Sequence, residues 1–238
     1  MNQQDQILQL VNWLKSSTST IVLTGAGMST ESGIPDFRSQ SGWWNKIDPR
    51  TVATVEALEN HYALFHDFYS YRIQSLEKYT PHEGHYILGQ WENKGVLDCV
   101  ATQNVDGFHQ LAGNRKVNEL HGTIKTIRCH SCNQPATLSE FLNKEVCKHC
   151  SGKLRPNVVL FGETLPEHSW MDSLNRIRRA DLVIVIGTSL EIYPVSQLPV
   201  MTEGKKVYVN LDIHDHARFD LMIKGKAKEI LKLVNNIL

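Results

Sequence analysis

The sequence lacks long apolar runs and an excess of either charge. Its longest strongly apolar run, Leu182 to Ile186, has five residues, whereas a helix that crosses a bilayer needs about 20. Lys and Arg together number 25, as do Asp and Glu, so the formal net charge is zero. This balance argues against a strongly basic nucleic-acid-binding protein. We therefore expect neither a membrane nor direct nucleic acid as a partner.

The first residues also lack the features of a secretory signal. Segment 1–9 is polar and contains one acid and no base, whereas a signal begins with basic residues and continues into an apolar stretch. We therefore expect a cytoplasmic protein. The 238 residues, of which 41% are hydrophobic, suit one large globular domain with a smaller insertion.

Cysteine is scarce, but its spacing is informative. Four of the five cysteines form two pairs: Cys129 and Cys132, then Cys147 and Cys150. Such pairs present four thiolates to one tetrahedral Zn²⁺ and leave no open position for catalysis. His130 and His149 lie inside the pairs and are weaker candidate ligands, which we expect to face solvent. Segment 122–157 has too few large apolar residues for a core of its own, so we predict one structural zinc ion there.

Apolar runs elsewhere predict a parallel sheet. Segments 96–102, 182–187 and 206–211, with a shorter run at 21–23, are typical of buried parallel strands covered by helices on both faces. The N-terminal segment has the spacing of an amphipathic helix, and the stretch 45–90 is mainly helical in character. We predict an α/β domain interrupted by a small metal-held insertion.

Polar and glycine residues follow these strands. Segment 25–30, GAGMST, has two glycines of a dinucleotide fingerprint and Thr30 in place of the third. Segment 187–189 and Asn210 occupy the ends of two later strands. Because ligands bind beyond the carboxyl ends of open parallel sheets, we expect these positions to converge on one ligand. The alternative for the glycine segment is an ordinary strand-to-helix turn.

The strand at 96–102 is also followed by polar side chains. Gln103, Asn104 and Asp106 can hydrogen-bond an amide or a ribose. His121, followed by Gly122, is either a structural histidine or a general base.

Together these segments resemble the motifs of the sirtuins, the NAD-dependent protein-lysine deacylases, of bacterial type. The resemblance covers about residues 20–230 and rests on the four cysteines and on motifs in the family's order: GAGMSTESGIPDFR, TQNVDGFH, ELHGT, PNVVLFGE, GTSLEIYPVS and VNLD. It implies a Rossmann-like parallel-sheet domain from segments 1–34, 86–121 and 158–238, with a smaller inserted domain. That insertion would comprise a helical module with the cofactor loop at 35–85 and a zinc ribbon at 122–157.

The resemblance also implies two cofactors, NAD and one structural zinc ion per chain. At Lys226 this chain departs from the acid expected near the adenine. The implied NAD-binding residues are Gly25, Ala26, Ser29, Thr30, Phe37, Arg38, Gln103, Val105, Asp106, Gly187, Thr188, Ser189, Asn210, Leu211 and Lys226.

The implied reaction removes acyl groups, principally acetyl, from protein lysines and yields free lysine, nicotinamide and O-acyl-ADP-ribose. The implied catalytic residues are His121, as base on the ribose hydroxyls, and Asn104. Phe37 would cover the reactive ribose face, and loop 35–44 would become ordered when NAD binds. The acylated peptide would enter as an added strand between 161–163 and 190–192. The implied substrate-binding residues are Val159, Phe161, Gly162, Leu190, Tyr69 and Arg72.

Three further functions remain open from the sequence. The Tyr-x-x-Arg spacing of Tyr69 and Arg72 matches a motif that binds acidic acyl groups in the desuccinylase branch, although it could be a surface pair on a helix. Asp36 argues against an acidic acyl group, and we expect deacetylation. The second function is mono-ADP-ribosyl transfer. The third is that of a non-catalytic NAD-sensing zinc-ribbon module, which has less need of a base such as His121.

Overall fold

The computed structural model describes residues 1–35, 47–213 and 218–238, and for residues 49 and 50 the backbone alone. The strands in this part of the chain are β1 (Thr20–Thr24), β2 (Cys99–Thr102), β3 (Val117–Glu119), β4 (Gly122–Cys129), β5 (Pro135–Ala136), β6 (Leu154–Val158), β7 (Leu182–Ile186), β8 (Lys205–Asn210) and β9 (Leu221–Lys224). The α-helices are α1 (Gln3–Ser16), α2 (Pro49–Val52), α3 (Val55–Asn60), α4 (Tyr62–Leu76), α5 (Glu83–Asn93), α6 (Phe108–Leu111), α7 (Leu138–Leu142), α8 (Glu167–Arg179) and α9 (Ala227–Asn235).

A six-stranded parallel sheet forms the larger part of the fold, in the order β3-β2-β1-β7-β8-β9. The four strands predicted from apolar runs are its four central strands. The two edge strands, β3 and β9, were not predicted, because they are three and four residues long and half-exposed edge strands lack a continuous apolar run. The predicted parallel α/β architecture is confirmed.

Helices cover both faces of this sheet, as alternation along β1 shows. Val22 faces a core shared with α1, α5 and α9. Ile21 and Leu23, its neighbours, face the opposite core, which includes Ile177 of α8. Successive strand side chains point to opposite faces, so a strand buried on both sides must be apolar at every position.

The edge strand β9 is covered by side chains of α1. Gln3 Nε2 donates to the carbonyl of Lys224 at 2.9 Å, and Gln6 Nε2 donates to that of Met222 at 2.9 Å. These bonds satisfy carbonyls that would otherwise offer an open edge for pairing with another chain.

The inserted part of the chain combines helices α2–α4 with the three-stranded sheet β5-β4-β6. The two pieces share one core, in which Phe65 and Tyr69 of α4 belong to the same cluster as Phe141 of α7 and two of the paired cysteines. Tyr62 Oη donates to the carbonyl of Leu154 at 2.8 Å, and His66 Nε2 lies 2.6 Å from the carbonyl of Phe141. The small sheet therefore packs on the helices and does not stand alone.

Within the described ranges, no helix combines the length and apolar character needed to cross a membrane.

Candidate active site and metal centre

The carboxyl ends of four parallel strands converge on one cleft. Gly25, after β1, donates its backbone N–H to the carbonyl of Ile186, the last residue of β7, at 3.0 Å. Gln103, after β2, donates from Nε2 to Oγ1 of Thr188 at 3.0 Å. Asn210, at the end of β8, lines the same cleft. The sequence predicted that the polar residues after these strands would lie close together. They do so because neighbouring parallel strands end at the same edge of the sheet.

Glycines at positions 25, 27 and 187 allow the backbone after β1 to lie close to the backbone after β7. A Cβ on Gly27 would lie 2.8 Å from the Cα of Gly187, and a Cβ on Gly25 would lie 2.5 Å from the Cβ of Thr188. Gly187 also has φ +63°, which side chains rarely adopt. These glycines therefore permit close packing of two strand ends, in addition to the place in a dinucleotide fingerprint that the sequence indicated.

Asp106 and Asn104 form the polar floor of the cleft. The Asp106 carboxylate is 8% exposed and accepts hydrogen bonds from Ser29 Oγ at 2.8 Å and from the backbone N–H of Phe108 at 2.9 Å. Burial is the largest influence on its pKa, which it raises. Asn104 Nδ2 donates to the carbonyl of Gly25 at 3.0 Å and to Ser29 Oγ at 3.2 Å. The floor is thus a fixed, hydrogen-bonded network.

His121 lies in the turn between β3 and β4 and lines the same cleft. Its Nδ1 is 3.2 Å from the carbonyl of Gln103. A carbonyl only accepts, so this bond requires the proton on Nδ1 and leaves Nε2 with a lone pair. Burial is the main cause of a lowered pKa, which keeps the ring neutral. These are the properties of a general base.

Two adjoining cavities make up the cleft, and both are bounded by Ala26, Asn104 and Arg72. The first, of about 480 Å³, lies between the floor at Asp106 and helix α4. The second, of about 540 Å³, extends past His121 and the ends of β7 and β8. Volumes of this size are typical of small-molecule sites.

Two chain segments form walls of the second cavity. One wall is the segment 158–163, which includes Val159, half-buried, and Phe161, 45% exposed. The other wall comes from the segment 189–193. Leu190 does not contribute its side chain to this wall, because it packs against the core under α8. Its neighbours Ser189 and Glu191 line the cavity instead.

Tyr69 and Arg72 are part of the cleft. Tyr69 is 3% exposed, and burial raises its pKa to about 12. The guanidinium of Arg72 lies 5.8 Å from the centre of the Tyr69 ring and 5.5 Å from that of Phe68. The interpretation of these residues as a surface pair is therefore wrong.

One predicted NAD-binding residue is found outside the cleft. Lys226 caps α9, with its half-exposed ammonium 3.6 Å from Glu229, and is outside the described walls of both cavities. Phe37 and Arg38 lie outside the described residues. The remaining predicted NAD-binding residues line the cleft, apart from Gly25, whose contacts are with neighbouring backbone.

The four paired cysteines form a metal centre. Their sulfur atoms all lie within 4.8 Å of one another, with Cys129 3.5 Å from Cys150 and Cys132 3.6 Å from Cys147. A tetrahedral zinc ion with Zn–S bonds of about 2.3 Å places its sulfurs about 3.8 Å apart. The donor set fits one zinc ion.

The histidines inside the cysteine pairs are not needed as ligands. His130 Nε2 lies 3.3 Å from Glu59 Oε1 of α3, and the four cysteine sulfurs alone complete a tetrahedral set. The His130 side chain is 24% exposed, so it is partly accessible to solvent and is less exposed than expected. His149 is exposed, as expected.

Sequence reasoning missed a buried group of histidines behind the cleft floor. The ring of His85 is 4.3 Å from that of His82 and 5.1 Å from that of His109. His82 Nε2 lies 2.6 Å from the carbonyl of Met28, and His109 Nε2 lies 3.0 Å from Thr24 Oγ1. His82 precedes α5, His85 lies in α5 and His109 lies in α6, so no local pattern indicated that the three rings would meet.

These features define a class of protein: an α/β dinucleotide-binding fold whose cleft is closed by a zinc-held insertion. The chain belongs to the Sir2 family, whose sequence model matches residues 25–194. The family resemblance identified from the motifs is confirmed.

Named relatives and solved structures cover nearly the whole chain. An NAD-dependent protein deacetylase of Oceanobacillus iheyensis is 42% identical over 94% of this chain and 98% of its own length. An NAD-dependent protein deacylase of Pyrococcus abyssi is 37% identical over 96% of each chain. A structure of Sir2Tm bound to a propionylated peptide is 33% identical, with a TM-score of 0.88, over 97% of this chain and 98% of the other. A complex of Sir2 with a p53 peptide and NAD+ is 34% identical, with a TM-score of 0.87, over 96% and 97%.

Proposed function

We propose that this protein is an NAD-dependent protein-lysine deacylase with deacetylation as its principal activity. The observation that carries the proposal is the position of His121. A half-buried, neutral imidazole opens into a cavity that also contains the polar strand ends and the apolar wall at Val159. The residues that we propose as base, as dinucleotide site and as acyl wall therefore line one cavity. The relatives named deacetylase or deacylase support the same activity.

The cleft suits NAD as its cofactor. Neutral polar side chains, Thr30, Ser189 and Asn210, line it on the side of the sheet, and ligands bind at such strand ends in open α/β sheets. Asn104 and Asp106 would bind the carboxamide at the other end, with the carboxylate accepting from the amide N–H₂. NAD, when bound, supplies a ribose carbon that is activated by the departure of nicotinamide.

The residues of this chain then perform three tasks. His121 Nε2 would take a proton from a ribose hydroxyl. Asn104, fixed by Gly25 and Ser29, would hold the reacting groups in register. The wall formed by Val159 and neighbouring residues would exclude water from the acyl group. The acylated peptide would lie as an added strand between segments 161–163 and 190–192.

The position of Arg72 supports a second candidate, the removal of acidic acyl groups such as succinyl or malonyl. Its guanidinium lies in the cleft beside Tyr69, where a phenol and a guanidinium could bind a terminal carboxylate. We keep deacetylation as the principal activity because the wall at Val159 and Phe161 is sufficient for a short acyl chain.

One experiment separates these functions. Acetylated and succinylated versions of one peptide are incubated with the protein, with and without NAD, and analysed by mass spectrometry. We expect NAD-dependent loss of the acetyl group in preference to succinyl, together with equimolar nicotinamide. Transfer of ADP-ribose to a protein, without deacylation, would support mono-ADP-ribosyl transfer instead. Loss of the acyl group without NAD, or no turnover of either peptide, would contradict the proposal.

We also propose that the protein acts in the cytoplasm, because four cysteine ligands remain reduced there. The prediction that it does not bind nucleic acid directly rests on its zero net charge and can be tested by filter binding at low salt.

A further inference from the structure

We propose that Arg155 and Glu163 form a positioning pair that holds the acyl-lysine wall at a fixed place relative to His121. This inference rests on the proposed deacylase function, and it concerns how two charged side chains hold the backbone of the wall: Glu163 ends the wall, and Arg155 is not among the residues that line the cavity. Arg155 belongs to β6, and Glu163 ends the wall segment that follows it. The pair therefore brackets the residues that would contact the substrate.

Arg155 is fully buried, with 0% of its surface exposed. Its Nη1 and Nη2 donate to Oε1 and Oε2 of Glu163 at 2.6 and 2.9 Å. Nη2 also donates to the carbonyl of Val158 at 2.6 Å, and Nε donates to that of Pro156 at 3.3 Å. Two parallel bonds between a guanidinium and a carboxylate fix the orientation of both groups.

Glu163 completes the arrangement from the other side. Its Oε2 accepts the backbone N–H of Leu160 at 2.7 Å. The ion pair thus binds the carbonyl before Val159 and the N–H after it. Val159 in turn donates its own N–H to the carbonyl of His121 at 2.9 Å. A displacement of the pair would shift Val159 and, through that bond, the turn that holds the base.

We expect the pair to fix the position of the backbone and to contribute little to the stability of the fold. A buried ion pair contributes little net stability, because desolvation of two charges opposes their attraction. Here the two charged groups bind three backbone positions within one short segment, as well as each other. Glu163 and Tyr69 line the same cavity, so the pair lies at the border of the proposed acyl channel.

The test compares Glu163→Gln and Arg155→Lys with matched controls. Glu167→Gln changes an exposed acid and Arg178→Lys changes an exposed arginine, and both residues lie on α8, outside the contacts of the pair. For each variant we measure kcat and KM for an acetyl-lysine peptide at saturating NAD, the Kd for NAD by calorimetry, and the melting temperature. Glu163→Asp is included because it keeps the charge opposite the buried guanidinium if Gln prevents folding.

We expect kcat/KM for the peptide to fall roughly tenfold in the Arg155 and Glu163 variants, with Kd for NAD changed less than twofold. In the double variant that combines Arg155→Lys with Glu163→Gln, kcat/KM should be no lower than in either single variant, because both substitutions disrupt the same ion pair. The controls should resemble wild type.

Two results would overturn the positioning role: equal loss of NAD affinity and peptide turnover, or a lower melting temperature with unchanged kinetics. Unfolding of Glu163→Asp as well would assign the pair to stability and also overturn it. Wild-type protein without NAD-dependent turnover would instead overturn the proposed function.

Discussion

Acidification is expected to destabilise the protein through two histidines buried behind the cleft floor. Burial, reinforced by neighbouring histidines, lowers the pKa of His85 to about 2 and that of His109 to about 3, whereas an unfolded histidine titrates near 6.5. The folded state therefore keeps both rings neutral while the unfolded state binds protons below about pH 6.5. Their contribution to stability is present above that pH and is lost as the pH falls.

The size of the effect follows from proton linkage. Each ring that is neutral in the folded state and protonated in the unfolded state reduces the free energy of unfolding as the pH falls. Well below pH 6.5 the reduction is about 1.4 kcal/mol for each pH unit. Between about pH 7.5 and 5 this amounts to about 2 kcal/mol for each ring, or about 4 kcal/mol for His85 and His109 together. Such a loss is a large share of the roughly 5–15 kcal/mol by which a domain is stable.

Urea unfolding at several pH values measures this loss, and His85→Leu tests its origin. Neither ring nitrogen of His85 has a hydrogen-bond partner of normal geometry among the described residues, so Leu removes a titrating group without breaking such a bond. Between about pH 7.5 and 5, we expect the free energy of unfolding of His85→Leu to fall by about 2 kcal/mol less than that of the wild type. His168→Gln, at an exposed position of α8, is the control and should behave like wild type. An unchanged pH dependence in His85→Leu would refute the reasoning.

Three further outcomes are expected. His121→Ala should reduce deacylation by roughly a hundredfold or more while NAD affinity changes only a few-fold. The wild-type rate should fall at acid pH with an apparent pKa below 6.5, because burial lowers the pKa of His121. Equal losses of NAD binding and of turnover would instead make His121 a structural residue. Cys147→Ser, or removal of zinc by a chelator, should lower the melting temperature and solubility, because the cysteines share a core with α4; metal-free protein with full activity would contradict this. Arg72→Met should leave kcat/KM for an acetyl-lysine peptide nearly unchanged, whereas a charge-assisted bond to a succinyl carboxylate would contribute about 1.5–3 kcal/mol, or roughly ten- to a hundredfold. A wild-type preference for succinyl that disappears in Arg72→Met would overturn the assignment of deacetylation.

The buried guanidinium of Arg155 shows why some site residues carry no local signal. Arginine in a strand next to proline predicts an exposed side chain, yet Arg155 is fully buried because Glu163 returns to it eight residues later. The histidine group is similar, since His85 and His109 belong to different helices and meet only when both helices pack against the sheet.

The sequence by itself determined the strands of the central sheet, the polar residues at their ends and the cysteine spacing of the metal centre. These are local patterns: a strand buried on both faces must be apolar throughout, and four thiolates must occur in close pairs to reach one ion.

Only the tertiary structure decided that Tyr69 is buried in the cleft, that Leu190 turns away from it, and that the crossing glycines pack against each other. Each of these depends on which distant segments come into contact, and periodicity along one segment carries no information about the partner that will cover it.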